Sequence, residues 1–428
     1  MAQEIVLREL SHGENAFYRT SLSNSALSKV SGDIPLYVLQ ASFEILLQRH
    51  ALLQCCVREA GGKPYFTPRM QSMAKVKELE VSNYGDAENY FQQTMNASLD
   101  PKESFIEIIC LKPSQSNLNE TYIVSVVSHI ISDGLSLVDL HRELFELCDL
   151  MIAKKLLLTT DIQAELDIPE PLENRLVNRP DGASVEDITK QYTQMINQDA
   201  HHVLYPDNHT TNDQHIEVLT HTLSEEDTQK ILAWCKERRL SFNNVFTAAM
   251  LITANSMDRS KRIANRYLVR NAVNLRSKVE PALDSNVLIT GASSILTSTV
   301  VSRSDDLEAI TRKVSVATSE AILEAPYLEN HIANKTIFKE LSTTLAFHIS
   351  NVGRLGIKSE FDSFFLEGFI MAAGTSCGKT MPIVVSTFNK RITILTHALL
   401  DIYPHQFVEN LVLNTVDFLL SGNLKKVA

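Results

Sequence analysis

Several things are scarce in this 428-residue chain, and each scarcity closes off a class of function. Net positive charge is missing: 40 lysines and arginines face 51 aspartates and glutamates, a formal charge of -11. A nucleic acid or an anionic membrane attracts an acidic protein only through a local basic patch. The densest basic stretch, KRIANRYLVR at 261–270, reads as an exposed turn running into a strand, so no nucleic-acid partner is expected. No apolar run approaches the roughly eighteen residues of a membrane span. The opening MAQEIVLREL carries charges where a signal peptide has its apolar core, so the expected setting is the cytoplasm. Cysteines are few, at 55, 56, 110, 148, 235 and 377, mostly inside apolar segments and without CxxC spacing. They are expected as reduced, buried thiols. Repeats and low-complexity tracts are lacking too.

What is present is an ordinary globular composition, 44% hydrophobic, in a chain longer than one core usually serves. Two domains are therefore expected, with residues 1–165 forming the first and 216–428 the second. Between them, 166–215 is rich in Pro, Asn, Asp and His and reads as a crossover containing one short helix. In the first part, IPLYVLQASFEILLQRH has helical spacing and LLQCCV has strand character ahead of a Gly61-Gly62 turn. FIEIICLKP and TYIVSVVSH read as neighbouring strands, followed by a helix that starts near Ser136. In the second part HIEVLTHTL, RYLVRNAV, TLAFHISNV, SFFLEGFIMA, PIVVSTF and RITILTHAL read as strands among helices, the last being HQFVENLVLNTVDFLL. The fold class is therefore α/β, as two α+β sandwiches.

The densest chemical signal is SVVSHIISDGLSLVDL, which holds His129, Asp133 and Gly134 as HxxxDG between a strand and a helix. A histidine closing a buried strand holds its imidazole at a sheet edge with little freedom, as a general base requires. Gly134 can adopt positive φ and leaves no side chain over the imidazole, so the turn can open to a substrate. Asp133 is expected to pin the loop by pairing with a cation or by capping the next helix. A histidine before an S-D-G turn also has a plain structural reading. AAGTSCGKT at 372–380 nearly matches a phosphate-binding loop, but Ala373 replaces the first required glycine and MPIVVSTF predicts a strand where a helix is needed. His201, His202, His209 and His215 have no metal-ligand spacing and read as a solvated linker; no metal is expected.

Strand, HxxxDG and helix in the first third of the chain resemble the HHxxxDG superfamily of thioester-dependent acyltransferases. That superfamily includes nonribosomal peptide synthetase condensation domains, polyketide-associated acyltransferases, carnitine acyltransferases and plant alcohol acyltransferases. LREL-SHGENAFY, LLQRHALLQCCVRE, LSFNNVFTAAM, NAVNLRSKVEP and HISNVGRL follow in the family's order, so the likeness covers almost the whole chain. It implies two chloramphenicol-acetyltransferase-like domains forming a V with an interdomain tunnel. It implies an acyl group moving from coenzyme A or a carrier protein's phosphopantetheine arm to a small-molecule acceptor, with no tightly bound cofactor. By the same resemblance His129 is the catalytic base, Asp133 a structural aspartate, Arg276 its partner, and Gly134 the residue that keeps the channel clear. Ser128, Ser350 and Asn351 become channel residues, although S-N-x-G is also an ordinary strand-ending turn.

Ser128 stands where the family has its first histidine, a departure that a hydroxyl bonding locally would tolerate. DFGWG, the plant signature, is replaced by SFFLEGFIMAAG. Ester formation is expected ahead of amide formation, since no adenylation or carrier region is attached. The alternatives are a freestanding condensation enzyme making an amide, or a non-catalytic member that binds a metabolite or a carrier protein. A monomer is expected.

Overall fold

The computed structural model describes residues 6–69, 75–114, 119–154, 167–176, 183–197, 216–258, 262–281, 283, 287–324, 331–332, 345–374, 380–400 and 402–421. The chain divides into two compact units. The first is Met1–Leu176, Arg276–Gly291 and Arg354–Thr375; the second is Val177–Leu275, Ala292–Gly353 and Ser376–Ala428. This departs from the expected division at a single crossover, because two excursions of the second half return to the first unit. Hydrogen bonding accounts for both: one excursion supplies a sheet strand, and the other satisfies the buried Asp133 carboxylate. Within the expected crossover, residue 166 and residues 177–182 and 198–215, with His201, His202, His209 and His215, lie outside the described residues.

The first unit contains β1 (Arg8–Glu9), α1 (His12–Thr20), β2 (Ser23–Ser31), α2 (Leu36–Arg49), β3 (Cys55–Ala60), β4 (Lys63–Pro68), β5 (Lys77–Val81), α3 (Tyr84–Met95), β6 (Ile106–Pro113), β7 (Glu120–Ser128), α4 (Gly134–Ile152) and α5 (Leu172–Arg175). The second begins with α6 (Val185–Asn197), β8 (Ile216–Thr222), α7 (Glu225–Glu237), α8 (Phe242–Met257), β9 (Ala264–Asn274), β10 (Ala292–Ser302), α9 (Leu307–Glu324) and β11 (Phe347–Arg354). After β12 (Phe365–Ala373) returns to the first unit, β13 (Met381–Phe388), β14 (Arg391–Leu399) and α10 (His405–Ser421) complete the second.

A five-stranded sheet ordered β12-β2-β7-β6-β5 and a three-stranded one ordered β1-β4-β3 form the first unit. The Gly-Gly turn is where the sequence places it, with φ +58° and +79° at Gly61 and Gly62, and β3 and β4 pair antiparallel across it. Glycine takes both angles at no steric cost, and such turns match the twist of the strands. β7 has every residue after Glu120 buried, which is why its apolar run is continuous rather than alternating. α4 turns Leu137, Leu140, Leu144, Phe145 and Cys148 inward at helical spacing.

In the second unit the sheet order is β10-β9-β11-β13-β14-β8. Tyr267 and Val269 of β9 join a core with Phe347, Ile349, Ile383, Ile394 and the helices α8 and α10. Leu268, between them in sequence, points to the other face and packs with Ile188 and Tyr192 of α6. β13 occupies the position after the near-match to a phosphate loop, so a strand stands where a phosphate loop needs a helix. Both units are α/β sandwiches, the class expected from the sequence. Among the described residues no helix is long and apolar enough to cross a membrane.

Candidate active site

The loop after β7 is held from three directions. Its backbone enters through Ser128 N–H donating to Phe105 O and His129 N–H donating to Leu22 O, both at 2.8 Å. Ser132 Oγ donates to Ser128 O at 2.9 Å, and the Asn24 amide reaches Ser132 O and Oγ at 3.0 Å each. Thr290 Oγ1 lies 2.7 Å from the His129 carbonyl, and 3.3 Å from those of Ile130 and Ser132. These bonds satisfy a tight turn that has no helix or sheet of its own to absorb its carbonyls.

Asp133 does both things asked of it. As N-cap of α4, its Oδ1 accepts from Ser136 N–H at 2.9 Å. Arg276 Nη2 reaches the same oxygen at 2.8 Å, while Oδ2 accepts from Gly291 N–H at 2.8 Å. Arg276 Nη2 also lies 2.7 Å from Ser136 Oγ and 3.0 Å from Ile289 O. With a side chain 4% exposed, this carboxylate has three donors committed to it. Gly291 has no room for more: a Cβ there would lie 2.5 Å from Arg276 Nη1.

Gly134 does not use the positive φ open to a glycine. It opens α4 as its first residue, two positions before the expected start, and among the described glycines positive φ falls at Gly32, Gly61, Gly62 and Gly353 instead. The reason is the Asp133 cap, which begins the helix directly after the aspartate. Ser128, 4% exposed, turns its hydroxyl to the local backbone, accepting from Ile130 N–H at 3.3 Å. Ser350 and Asn351 lie on β11 of the second unit. The Asn351 Oδ1 accepts from Gly353 N–H at 2.9 Å, a local bond within β11, which continues to Arg354.

The His129 ring is half-buried and lies flat on Phe17 of α1, with centroids 3.9 Å apart and planes 10° apart. The structure thus brings Ser128, His129, Asp133, Gly134 and Arg276 into one unit, with Phe17, Asn24, Thr290 and Gly291 around them. Sequence reasoning missed these last four. No spacing links Thr290 to His129, which lie 161 positions apart; an apolar position within SHGENAFY was the available clue to Phe17.

The structure resembles polyketide synthase associated protein 5 from Mycobacterium tuberculosis with a TM-score of 0.73 and 15% identity, covering 98% of this chain and 100% of that one. It resembles trichothecene 15-O-acetyltransferase from Fusarium sporotrichioides with a TM-score of 0.79 and 12% identity, over 98% and 95% of the two chains. For the first condensation domain of the CDA synthetase the values are 0.69 and 13%, over 99% and 97%. Residues 212–397 match the family model described as phthiocerol/phthiodiolone dimycocerosyl transferase C-terminus. The chain has the fold of the condensation-domain acyltransferase superfamily. No curated protein sequence matches it.

Other features of the chain serve the scaffold. Arg49 and His50, in the stretch likened to the family's helix-to-strand segment, hold Glu143 of α4 at 2.6 and 2.8 Å. Burial alone would raise the Glu143 pKa, but these partners bring it below the ordinary carboxylate value. Ser125 and His141 form a hydroxyl–imidazole pair at 3.0 Å, yet both are fully buried. His141 Nδ1 sits 2.9 Å from Leu137 O, an acceptor only, so Nδ1 carries the proton and Nε2 accepts from the serine. Burial pushes the His141 pKa down to about 4, which makes the pair a core contact. Five cysteines are free and buried, and burial raises the thiol of Cys148 to about 12 and that of Cys110 to about 11, far from nucleophilic. Cys377 lies outside the described residues.

Proposed function

We propose that this protein transfers an acyl group from a coenzyme A or carrier-protein thioester to a hydroxyl, with His129 as the general base. The observation that carries the reading is the division of labour in the HxxxDG loop. Asp133 has every oxygen engaged in holding the turn, and Ser128 is turned to the backbone. His129 is the remaining motif residue able to move a proton, on a loop braced by Thr290, Asn24 and Leu22.

In this reaction the imidazole takes the proton as the acceptor oxygen attacks the thioester carbonyl. The new C–O bond forms, charge collects on the carbonyl oxygen, and the C–S bond breaks as the carbonyl re-forms. The imidazolium then returns its proton to the departing thiolate. In the first turn of α4, Ser136 N–H is taken by the Asp133 carboxylate and Leu137 N–H by the Asp133 carbonyl. That leaves the amides of Gly134 and Leu135 as the candidates for oxyanion donation there.

The test is to incubate the protein with acyl-coenzyme A and acyl-carrier donors and pooled alcohols and amines, reading products by mass. An acylated alcohol supports the reading. Acylated amines alone would replace ester by amide formation, and binding of donor without acceptor-dependent turnover would favour a non-catalytic binding protein.

A further inference from the structure

The amino-terminal stretch LREL-SHGENAFY is fastened more firmly than a nine-residue surface helix requires. Arg8 grips Glu14 with two bonds, Nη1 to Oε2 at 2.7 Å and Nη2 to Oε1 at 2.8 Å. Glu14 also accepts from Ser11 N–H at 2.8 Å, closing a capping box in which Ser11 Oγ receives Glu14 N–H. Arg8 lies over the Phe66 ring at 4.8 Å and donates to Pro169 O at 3.1 Å, while Gly13 N–H donates to Glu173 at 2.7 Å. Gly13, Glu14 and Phe17 form the buried face of the helix, so the anchoring carboxylate and the phenyl ring share one side. The next corner is fixed as well, since Leu22 O holds His129 N–H.

We infer that Phe17 is a positioning residue for His129, a fixed plate that sets the plane of the imidazole for proton transfer. This deepens the acyl-transfer reading and rests on it. A base works through a lone pair in the plane of its ring, along the ring edge. A phenyl ring stacked flat at 3.9 Å and 10° lies against one face of the imidazole and not against its edge. Partial rotation about the Cβ–Cγ bond of His129 would drive the imidazole edge into the phenyl face, so the stack selects one ring plane. The same face receives the imidazolium once the proton has been taken, because an aromatic face attracts a cation within about 6 Å.

The experiment combines a spectrum that needs no substrate with a kinetic comparison. In protein labelled with carbon-13 at histidine, the His129 ring signal, assigned by its loss in His129→Ala, is expected shifted upfield by the phenyl ring current. It is expected to move to an ordinary position and to broaden in Phe17→Leu, and to stay shifted in Phe17→Tyr. With the substrates found above, Phe17→Leu is expected to lower kcat roughly ten- to a hundred-fold with little change in KM, and Phe17→Tyr to stay near the native rate. A His129 signal without an upfield shift in the native protein overturns the inference, whether or not Phe17→Leu folds. So does an unchanged kcat in a folded Phe17→Leu. Because the spectrum is read without turnover, an absent acyl-transfer activity beside a present ring-current shift would fault the proposed reaction and leave the stack itself intact.

Discussion

At the scale of single residues, the loop that presents His129 depends on a side chain that never meets a substrate in the proposed chemistry. Asp133 is nearly fully buried and charged, which is tolerable only with its donors in place. Removing Arg276 strands that charge, so Arg276→Ala is expected to destabilise by about 3–5 kcal/mol and Asp133→Ala by a comparable amount. Because the two side chains act through one contact, the double variant should lose less than the sum of the singles by about 1 kcal/mol or more. Additive losses in urea unfolding would show that the pair is not coupled. Gly291→Ala should mimic part of the Arg276 loss, since its Cβ must displace the guanidinium. The pairing of Asp133 with Arg276 was foreseen only through the family resemblance, because nothing in the spacing of two residues 143 positions apart points to it.

At the scale of elements, legibility follows the side chains. β7 and β13 are apolar runs and α7 and α8 have serine caps with polar or apolar periodicity, so each was readable. β2, SNSALSKVS, and β10, ASSILTSTVVS, gave no strand signal, although β2 sits inside its sheet between β12 and β7. Their serines and threonines look like loop residues in sequence. In the fold Ser25 and Ser28 are completely buried because sheet pairing satisfies the strand backbone and small side chains allow close packing.

Two elements also carry titratable cores. His141 of α4 and His397 of β14 are both fully buried, with burial pushing each pKa from the ordinary 6.5 down to about 4. The unfolded chain takes up protons below about pH 6.5 that the folded one refuses until about pH 4. Stability is therefore full above pH 6.5 and lost as pH falls through that window, by about 3 kcal/mol per histidine. His405 has its pKa raised by the bond to Glu217 and opposes this slightly, but it is exposed and screened. Urea unfolding at pH 7, 5.5 and 4.5 should show the decline, and His397→Leu should flatten part of it. A flat profile from pH 7 to 4.5 would remove the buried neutral histidines from the account.

At the scale of the whole molecule, chain order and structural membership disagree. Arg276–Gly291 and Arg354–Thr375 lie in sequence among elements of the second unit but belong to the first. Hydrophobic periodicity reports which face of an element is buried and says nothing about which sheet it joins, so this exchange was invisible. It bears on the proposed site, because Arg276, Thr290 and Gly291, which brace the HxxxDG loop, all arrive on one of those excursions. The measurement that bears most directly on the central claim is the rate of acceptor-dependent acyl transfer in His129→Ala against the native protein, with folding confirmed for both. The account predicts a loss of at least about a hundred-fold. A folded variant that forms product at the native rate would contradict His129 as the base and return the HxxxDG loop to a structural role.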